Sequence, residues 1–120
     1  MKSSYDLLWD AARNPTRDPL TICNNLRRIL ENYFKLLGGI NTHSLYEKFE
    51  GDEQLICRAL VSWINDGSHF AMEDLHLSPG GEVDKYLDVF RKVFEKHNHE
   101  AHYKMMMGNA FVPRPEPLKS

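Results

Sequence analysis

Arginine, glutamate, asparagine and histidine side chains recur at helical spacing in two parts of the chain. Arg27 and Glu31 lie four residues apart. A second set follows at spacings of four, three and four residues: Arg58, Ser62, Asn65 and His69. Because an α-helix turns by about 100° per residue, each set falls on one helical face. An arginine, a carboxylate and a histidine can together cleave RNA without a metal, since histidine moves protons near neutral pH and arginine neutralises charge on a phosphate.

The helix that carries Arg27 and Glu31 has a clear apolar stripe. Measured from Leu26 at the centre of that stripe, Arg27 falls at about 100° and Glu31 at about 140°, while Arg28 points almost away from it. Arg27 and Glu31 can therefore also form an i,i+4 surface salt bridge worth a few tenths of a kcal/mol. A catalytic role for Arg27 and Glu31 needs a further side chain from another helix. Asn65 and His69, which lie in the polar strip of an otherwise apolar helix, can supply it.

The elements that must position these residues are all helical by their apolar spacing. The pattern predicts helices over residues 4–13, 19–37, 43–50, 52 towards 67, and 82–97, separated by proline and glycine. We therefore expect an all-α protein with a single bundle of about five helices over residues 1–111, built on the second, fourth and fifth helices. Residues 112–120 contain three prolines in nine positions and are predicted to be a disordered tail.

Composition excludes several classes of protein. The 120 residues include 15 Lys+Arg and 17 Asp+Glu, a formal charge of −2, which argues against a broad basic surface for nucleic acid. No apolar run approaches the roughly 20 residues of a membrane span. The phosphate-binding GxxxxGK[ST] pattern is absent, so this chain alone is not expected to hydrolyse ATP. Cys23 and Cys57 lie in apolar stretches, typical of buried free thiols in a reducing cytoplasm.

Histidines near the C-terminus offer a second candidate site. His97, His99 and His102 have a spacing that could bind zinc or nickel, but no cysteine or acidic pattern completes a recognised site, and we assign neither metal nor cofactor. The alternative is a helix C-terminus that favours cationic histidines. If the chain binds RNA, His102 and Tyr103 could line the groove. Tyr5, Trp9 and Tyr103 could stack on unpaired bases, although packing in the core or at an interface is the commoner role of such rings.

Three segments carry a family resemblance: Asn24–Phe34 (NNLRRILENYF), Trp63–His69 (WINDGSH) and Glu100–Met107 (EAHYKMMM). Together they resemble the C-terminal domain of anticodon-nuclease-type ATPases, over roughly residues 5–107. These are bacterial antiphage proteins with an ABC-like ATPase part and a C-terminal ribonuclease domain of the HEPN superfamily.

The resemblance implies a HEPN-like helical domain that forms a homodimer and acts as a toxin. Its substrate would be RNA, in the best-known members a tRNA cut at the anticodon loop, with a 2′,3′-cyclic phosphate and a 5′-hydroxyl as products. Arg27, Glu31 and His69 match the catalytic residues. The common HEPN motif is R-N-x-x-x-H, but Ile64 precedes Asn65 here, so the arginine comes from the second helix, as in the anticodon-nuclease branch. The residues expected to contact substrate are Arg28, Arg58, Asn65, His102 and Tyr103.

The expected partner is an ABC-like ATPase region, either in the same parent chain or as a separate subunit. The alternative function is a non-catalytic helical module that dimerises an ATPase-based defence protein or senses a phage component.

Overall fold

Six α-helices and one short 3-10 turn form the described part of the chain. The computed structural model describes residues 3–36, 42–61 and 81–114. The helices are α1 (Ser4–Arg13), α2 (Pro19–Leu36), α3 (Thr42–Tyr46), α4 (Gly51–Leu60), α5 (Gly81–Lys96) and α6 (Glu100–Met107), and Gly108–Ala110 forms the 3-10 turn. No strand occurs in these ranges, and the expected all-α fold is confirmed.

The first two helices begin where local chemistry favours a start. The side chain of Ser3 accepts a hydrogen bond from the backbone N–H of Asp6 and so caps α1. Asp18 caps α2 by accepting from the backbone N–H of Thr21 at 3.2 Å, and Pro19 occupies the first helical position, where its missing N–H costs nothing. These contacts explain why apolar spacing and capping residues were sufficient to place both helices.

A break between α5 and α6 separates residues that the sequence pattern placed at the end of one helix. Asn98 adopts a left-handed φ of 65°. The backbone N–H of His99 then donates a hydrogen bond to the carbonyl of Phe94 at 2.8 Å, and the N–H of Asn98 donates to the carbonyl of Glu95 at 3.4 Å. This is a Schellman C-cap, in which asparagine replaces the usual glycine. His99 therefore precedes α6, and His102 lies on α6 rather than on α5.

The core lies where α2, α4 and α5 pack against one another, as the sequence predicted, and α1 packs against α2 and α6. Trp9 of α1 is fully buried. Its ring lies 5.3 Å from that of Phe90 and 5.7 Å from that of Phe94, both on α5. This aromatic cluster joins α1 to the bundle.

The last described residues lie along α5. Arg91 donates a hydrogen bond to the carbonyl of Val112 at 2.6 Å. Arg114 donates to Glu95 at 2.7 Å and pairs with Asp88 at 2.9 Å. The segment predicted to be a disordered tail thus begins with Val112 and Arg114 in contact with α5, while residues 115–120 lie outside the described residues.

None of the described helices is both long enough and apolar enough to cross a membrane.

Candidate functional site

Polar side chains of α2 line one open groove. Its volume is about 560 Å³. The described residues that line it are Thr21, Asn24, Asn25, Arg27, Arg28 and Glu31. The structure therefore brings together two of the three predicted catalytic residues and one predicted substrate contact, all from a single helix.

Glu31 makes an ion pair with Lys35, whose Nζ lies 2.8 Å from its Oε2. Glu31 therefore does not form the Arg27 salt bridge that the i,i+4 spacing also allowed. The Nε atom of Arg27 is buried and finds no hydrogen-bond partner among the residues that the structure describes. A buried N–H donor without a partner beside a groove favours an anionic ligand, because leaving that donor unpaired costs free energy that a hydrogen bond to a phosphate would recover.

The other two residues predicted for this site are His69 and Asn65. Both fall within residues 62–80, outside the described residues. The predicted continuous helix from residue 52 towards 67 is wrong, because α4 ends at Leu60 with Val61 as its C-cap. The approach of Asn65 and His69 to Arg27 and Glu31 stays a prediction.

Arg58 lies on α4 and is exposed. Its guanidinium lies 5.2 Å from the ring centroid of Tyr46 on α3, which is cation–π distance. Arg58 is not among the described residues that line the α2 groove. The structure therefore groups Arg58 with α3 rather than with Arg27.

Tyr103 is buried, with only 7% of its surface exposed. Its ring packs against Trp9 at 5.9 Å and Phe94 at 5.8 Å, and the guanidinium of Arg91 lies 5.4 Å from its centroid. In this arrangement the ring stabilises the core and does not face the α2 groove.

His102 lies between two tyrosines. Its Nε2 is 2.7 Å from the hydroxyl of Tyr5 on α1. Its ring stacks on that of Tyr33 on α2, with centroids 4.1 Å apart and an interplanar angle of 16°. His102 therefore connects α6 to both helices that flank the groove region.

The other two C-terminal histidines, His99 and His97, also make hydrogen bonds within the bundle. His99 Nδ1 is 2.8 Å from the hydroxyl of Tyr33. The two ring nitrogens of His97 lie 2.9 Å from the carbonyl of Val93 and 3.0 Å from that of Ser44. In the described part of the chain, no group of three His, Cys, Asp or Glu residues could hold a metal ion. The contact between His97 and Val93 places an imidazole against a carbonyl of the last turn of α5. The helix-terminus interpretation with cationic histidines does not extend to His99 and His102, because burial favours their neutral form.

Burial shifts the pKa values of His99, His102 and Tyr5. It lowers the pKa of His99 and of His102, and repulsion from the neighbouring histidine lowers each further. Burial also raises the pKa of Tyr5 to about 12. Both histidine rings are thus favoured in their neutral form, which can share one proton with a tyrosine hydroxyl.

A model of a protein family, described as an AAA domain, matches residues 1–95. That range includes α1 to α4 and nearly all of α5. The chain belongs to this AAA-domain family. No curated protein and no solved structure gives a match. Membership relates the helical bundle to ATPases, although the chain itself has no GxxxxGK[ST] pattern.

The sequence prediction omits Lys35 and Tyr33 from the site and treats Tyr5 only as a residue that could stack on a base. Lys35 lies four residues after Glu31, and a glutamate that precedes a lysine by four positions is the better-oriented ion pair on a helix. That spacing could have identified Lys35. Contacts of Tyr5 and Tyr33 with α6 span 97 and 66 residues, and no local pattern indicates them.

Proposed function

We propose that this chain is a metal-independent RNA endonuclease domain that works with an AAA-type ATPase. The observation that carries the proposal concerns Arg27. This residue lines the α2 groove beside Glu31, and its buried Nε has no hydrogen-bond partner among the described residues. The pairing of Glu31 with Lys35 leaves Arg27 available for a phosphate. The family match supports the link to an ATPase.

In the proposed reaction, Arg27 binds the phosphate at the cleaved bond and stabilises the negative charge that grows on its oxygens. His69 is the principal acid/base and takes the proton from the 2′-hydroxyl. The 2′-oxygen attacks phosphorus and the bond to the 5′-oxygen breaks. The 5′-oxygen takes up a proton, and the products are a 2′,3′-cyclic phosphate and a 5′-hydroxyl. Glu31, one turn after Arg27, exchanges protons; it does not orient Arg27, because its carboxylate pairs with Lys35.

We further propose tRNA as the substrate, near the anticodon, and antiphage defence as the setting. A homodimer would bring two α2 grooves towards one cleft and hold a bent RNA loop. Because the chain has no phosphate-binding loop, nucleotide control would come from an ABC-like ATPase region of the same parent protein or from a separate subunit.

A second candidate function is a non-catalytic module that docks on an ATPase subunit or on a second copy. Exposed leucines favour it: Leu7 on α1 and Leu20 on α2 are 53% and 52% exposed. Apolar surface of this kind can serve an interface without any chemistry.

The direct test incubates the full 120-residue chain with bulk tRNA in excess EDTA and analyses the new RNA ends. The proposal predicts fragments with 2′,3′-cyclic phosphate and 5′-hydroxyl ends. Intact tRNA, or fragments with 3′-hydroxyl ends, would contradict it. If the tRNA stays intact and the chain dimerises, with dimerisation lost in Leu7→Ser, the result would favour the second candidate.

A further inference from the structure

A second groove lies between α1 and α2, next to the first. Its volume is about 590 Å³. The described residues that line it are Ser4, Tyr5 and Leu8 from α1, and Arg28, Glu31, Asn32 and Lys35 from α2. We call it the α1–α2 groove. Arg28 and Glu31 line both grooves, so one polar surface continues along α2 from residue 21 to residue 35, a distance of roughly 21 Å at 1.5 Å per residue.

The charge of this surface is positive although the whole chain carries −2. Lys35 pairs with Glu31 through its ammonium group, so the pair adds no net charge, but the other N–H donors of Lys35 can still bind a phosphate. Arg28 is exposed, and its guanidinium makes no hydrogen bond or ion pair with any residue that the structure describes. Arg27 and Arg28 together therefore leave two uncompensated cations along one face of α2.

The shape of both grooves favours a polymer over a small molecule. They are open and lined mainly by polar side chains, whereas small-molecule sites are enclosed and mostly apolar. A chain of phosphates suits an open polar surface, because phosphate contacts need charge and little enclosure.

Tyr5 gives the α1–α2 groove an aromatic ring in a fixed position. Its hydroxyl is 2.7 Å from His102 Nε2, and the two rings lie nearly parallel with centroids 5.8 Å apart. Since α6 holds Tyr5 in place, contact with an unpaired base would cost little additional ordering.

From these observations we propose that the α1–α2 groove binds a single-stranded stretch of the RNA next to the cleaved phosphate. Arg28 and Lys35 contact its phosphates and Tyr5 contacts one of its bases. The proposal rests on the proposed function for the nature of the substrate, but binding in this groove does not depend on cleavage.

The test measures binding of a short, fluorescently labelled single-stranded DNA by anisotropy at several salt concentrations. DNA has no 2′-hydroxyl and cannot be cut by the proposed reaction, so binding is measured apart from chemistry. The test variant is Arg28→Ala/Lys35→Ala. Its matched control is Arg17→Ala/Lys85→Ala, which removes the same charge from two exposed ion pairs outside the grooves.

We expect the test variant to bind the DNA about tenfold more weakly than the wild type. The plot of log K against log salt concentration should become shallower by about 1.4, because each lost phosphate contact on a single strand contributes about 0.7. The control variant should keep the wild-type slope. Tyr5→Leu should weaken binding without changing the slope, because a stacking contact carries no charge.

Three results would overturn the proposal: equal slopes for the test and control variants, equal binding of a duplex of the same sequence, or equally effective competition by an acidic peptide.

The two proposals can fail separately. If the wild type cuts RNA but the test variant binds DNA normally, the groove assignment fails and the nuclease stands. If the wild type cuts no RNA but the test variant loses DNA binding, the nuclease fails and the groove stands.

Discussion

The hydroxyl of Tyr33 lies 2.8 Å from Nδ1 of His99, and this contact joins α2 to the residue that precedes α6. The ring of Tyr33 also stacks on His102. Tyr33 is on the same helix as Arg27 and Glu31, so the C-terminal helix supports the helix that carries the candidate site. Any change that separates α6 from α2 should therefore also disturb the α2 grooves.

The first prediction concerns pH. Burial lowers the pKa of His99 and His102 in the folded chain, so the unfolded chain binds more protons between the ordinary value of about 6.5 and the lowered values. Their contribution to stability is present above about pH 6.5 and is lost as the pH falls through the folded pKa values. Thermal unfolding should therefore show a melting temperature that falls on mild acidification.

The matched variant for this prediction is His99→Asn/His102→Gln, which removes both titrating groups. Its melting temperature should depend less on pH over the same range, whatever its absolute stability. A wild-type melting temperature that rises on mild acidification, or an unchanged pH slope in the variant, would contradict the assignment of these two histidines.

The second prediction concerns the aromatic core. Phe94 is fully buried and contacts the rings of Trp9, Tyr33 and Tyr103. Phe94→Ala should lower the free energy of unfolding by about 3–5 kcal/mol, through lost burial and the cavity left behind. Leu7→Ala, at a position 53% exposed, should change it by less than about 0.5 kcal/mol. Urea unfolding measures both, and equal effects would show that this cluster is not the core.

The third prediction concerns the C-terminal segment. Burial alone would raise the pKa of Asp88, but Arg114 and Lys92 reverse this and hold it below its ordinary value. Arg114→Ala should raise the pKa of Asp88 and lower the free energy of unfolding by about 1 kcal/mol, since Arg114 is partly exposed. NMR titration and urea unfolding measure these effects, with Arg17→Ala as the control. An unchanged Asp88 pKa would contradict the contact.

The fourth prediction concerns the two free thiols. Cys23 and Cys57 are buried, and burial raises the pKa of both, that of Cys23 to about 12 although the cation of Arg27 opposes the rise. Neither thiol should react with a thiol-specific reagent at neutral pH until the chain unfolds, because the thiolate is the reactive form. Leu20→Cys, at a position 52% exposed, should react in the folded state. Fast reaction of the wild type would contradict this account.

Apolar spacing and capping residues were sufficient to predict most of the fold. They placed α1 at residues 4–13 and the start of α2 at Pro19, because Asp18 and the proline act locally. They also placed the end of the fifth helix at about residue 97, one residue after the end of α5, but they did not predict α6, which begins again after the left-handed Asn98.

The candidate site could be predicted only in part. Spacing placed Arg27 and Glu31 on one shoulder of α2, but Glu31 has an arginine four residues before it and a lysine four residues after it. Orientation on the helix favours Lys35, and the structure shows that pair. The α1–α2 groove depends on how α1 packs against α2, which is a tertiary property that neither helix encodes alone.

The central claim is that Arg27 and His69 act on one phosphate of an RNA. The decisive measurement is the initial rate of tRNA cleavage in EDTA by the wild type, Arg27→Ala, His69→Ala and the control Arg17→Ala, with circular dichroism to verify that each is folded. We predict that the wild type and the control cut at the same rate, and that each of the other two is slower by about 100-fold or more, the usual cost of losing an acid/base group or a charge-stabilising donor. Cleavage at the wild-type rate by folded His69→Ala and Arg27→Ala, or no cleavage by the wild type, would contradict the claim.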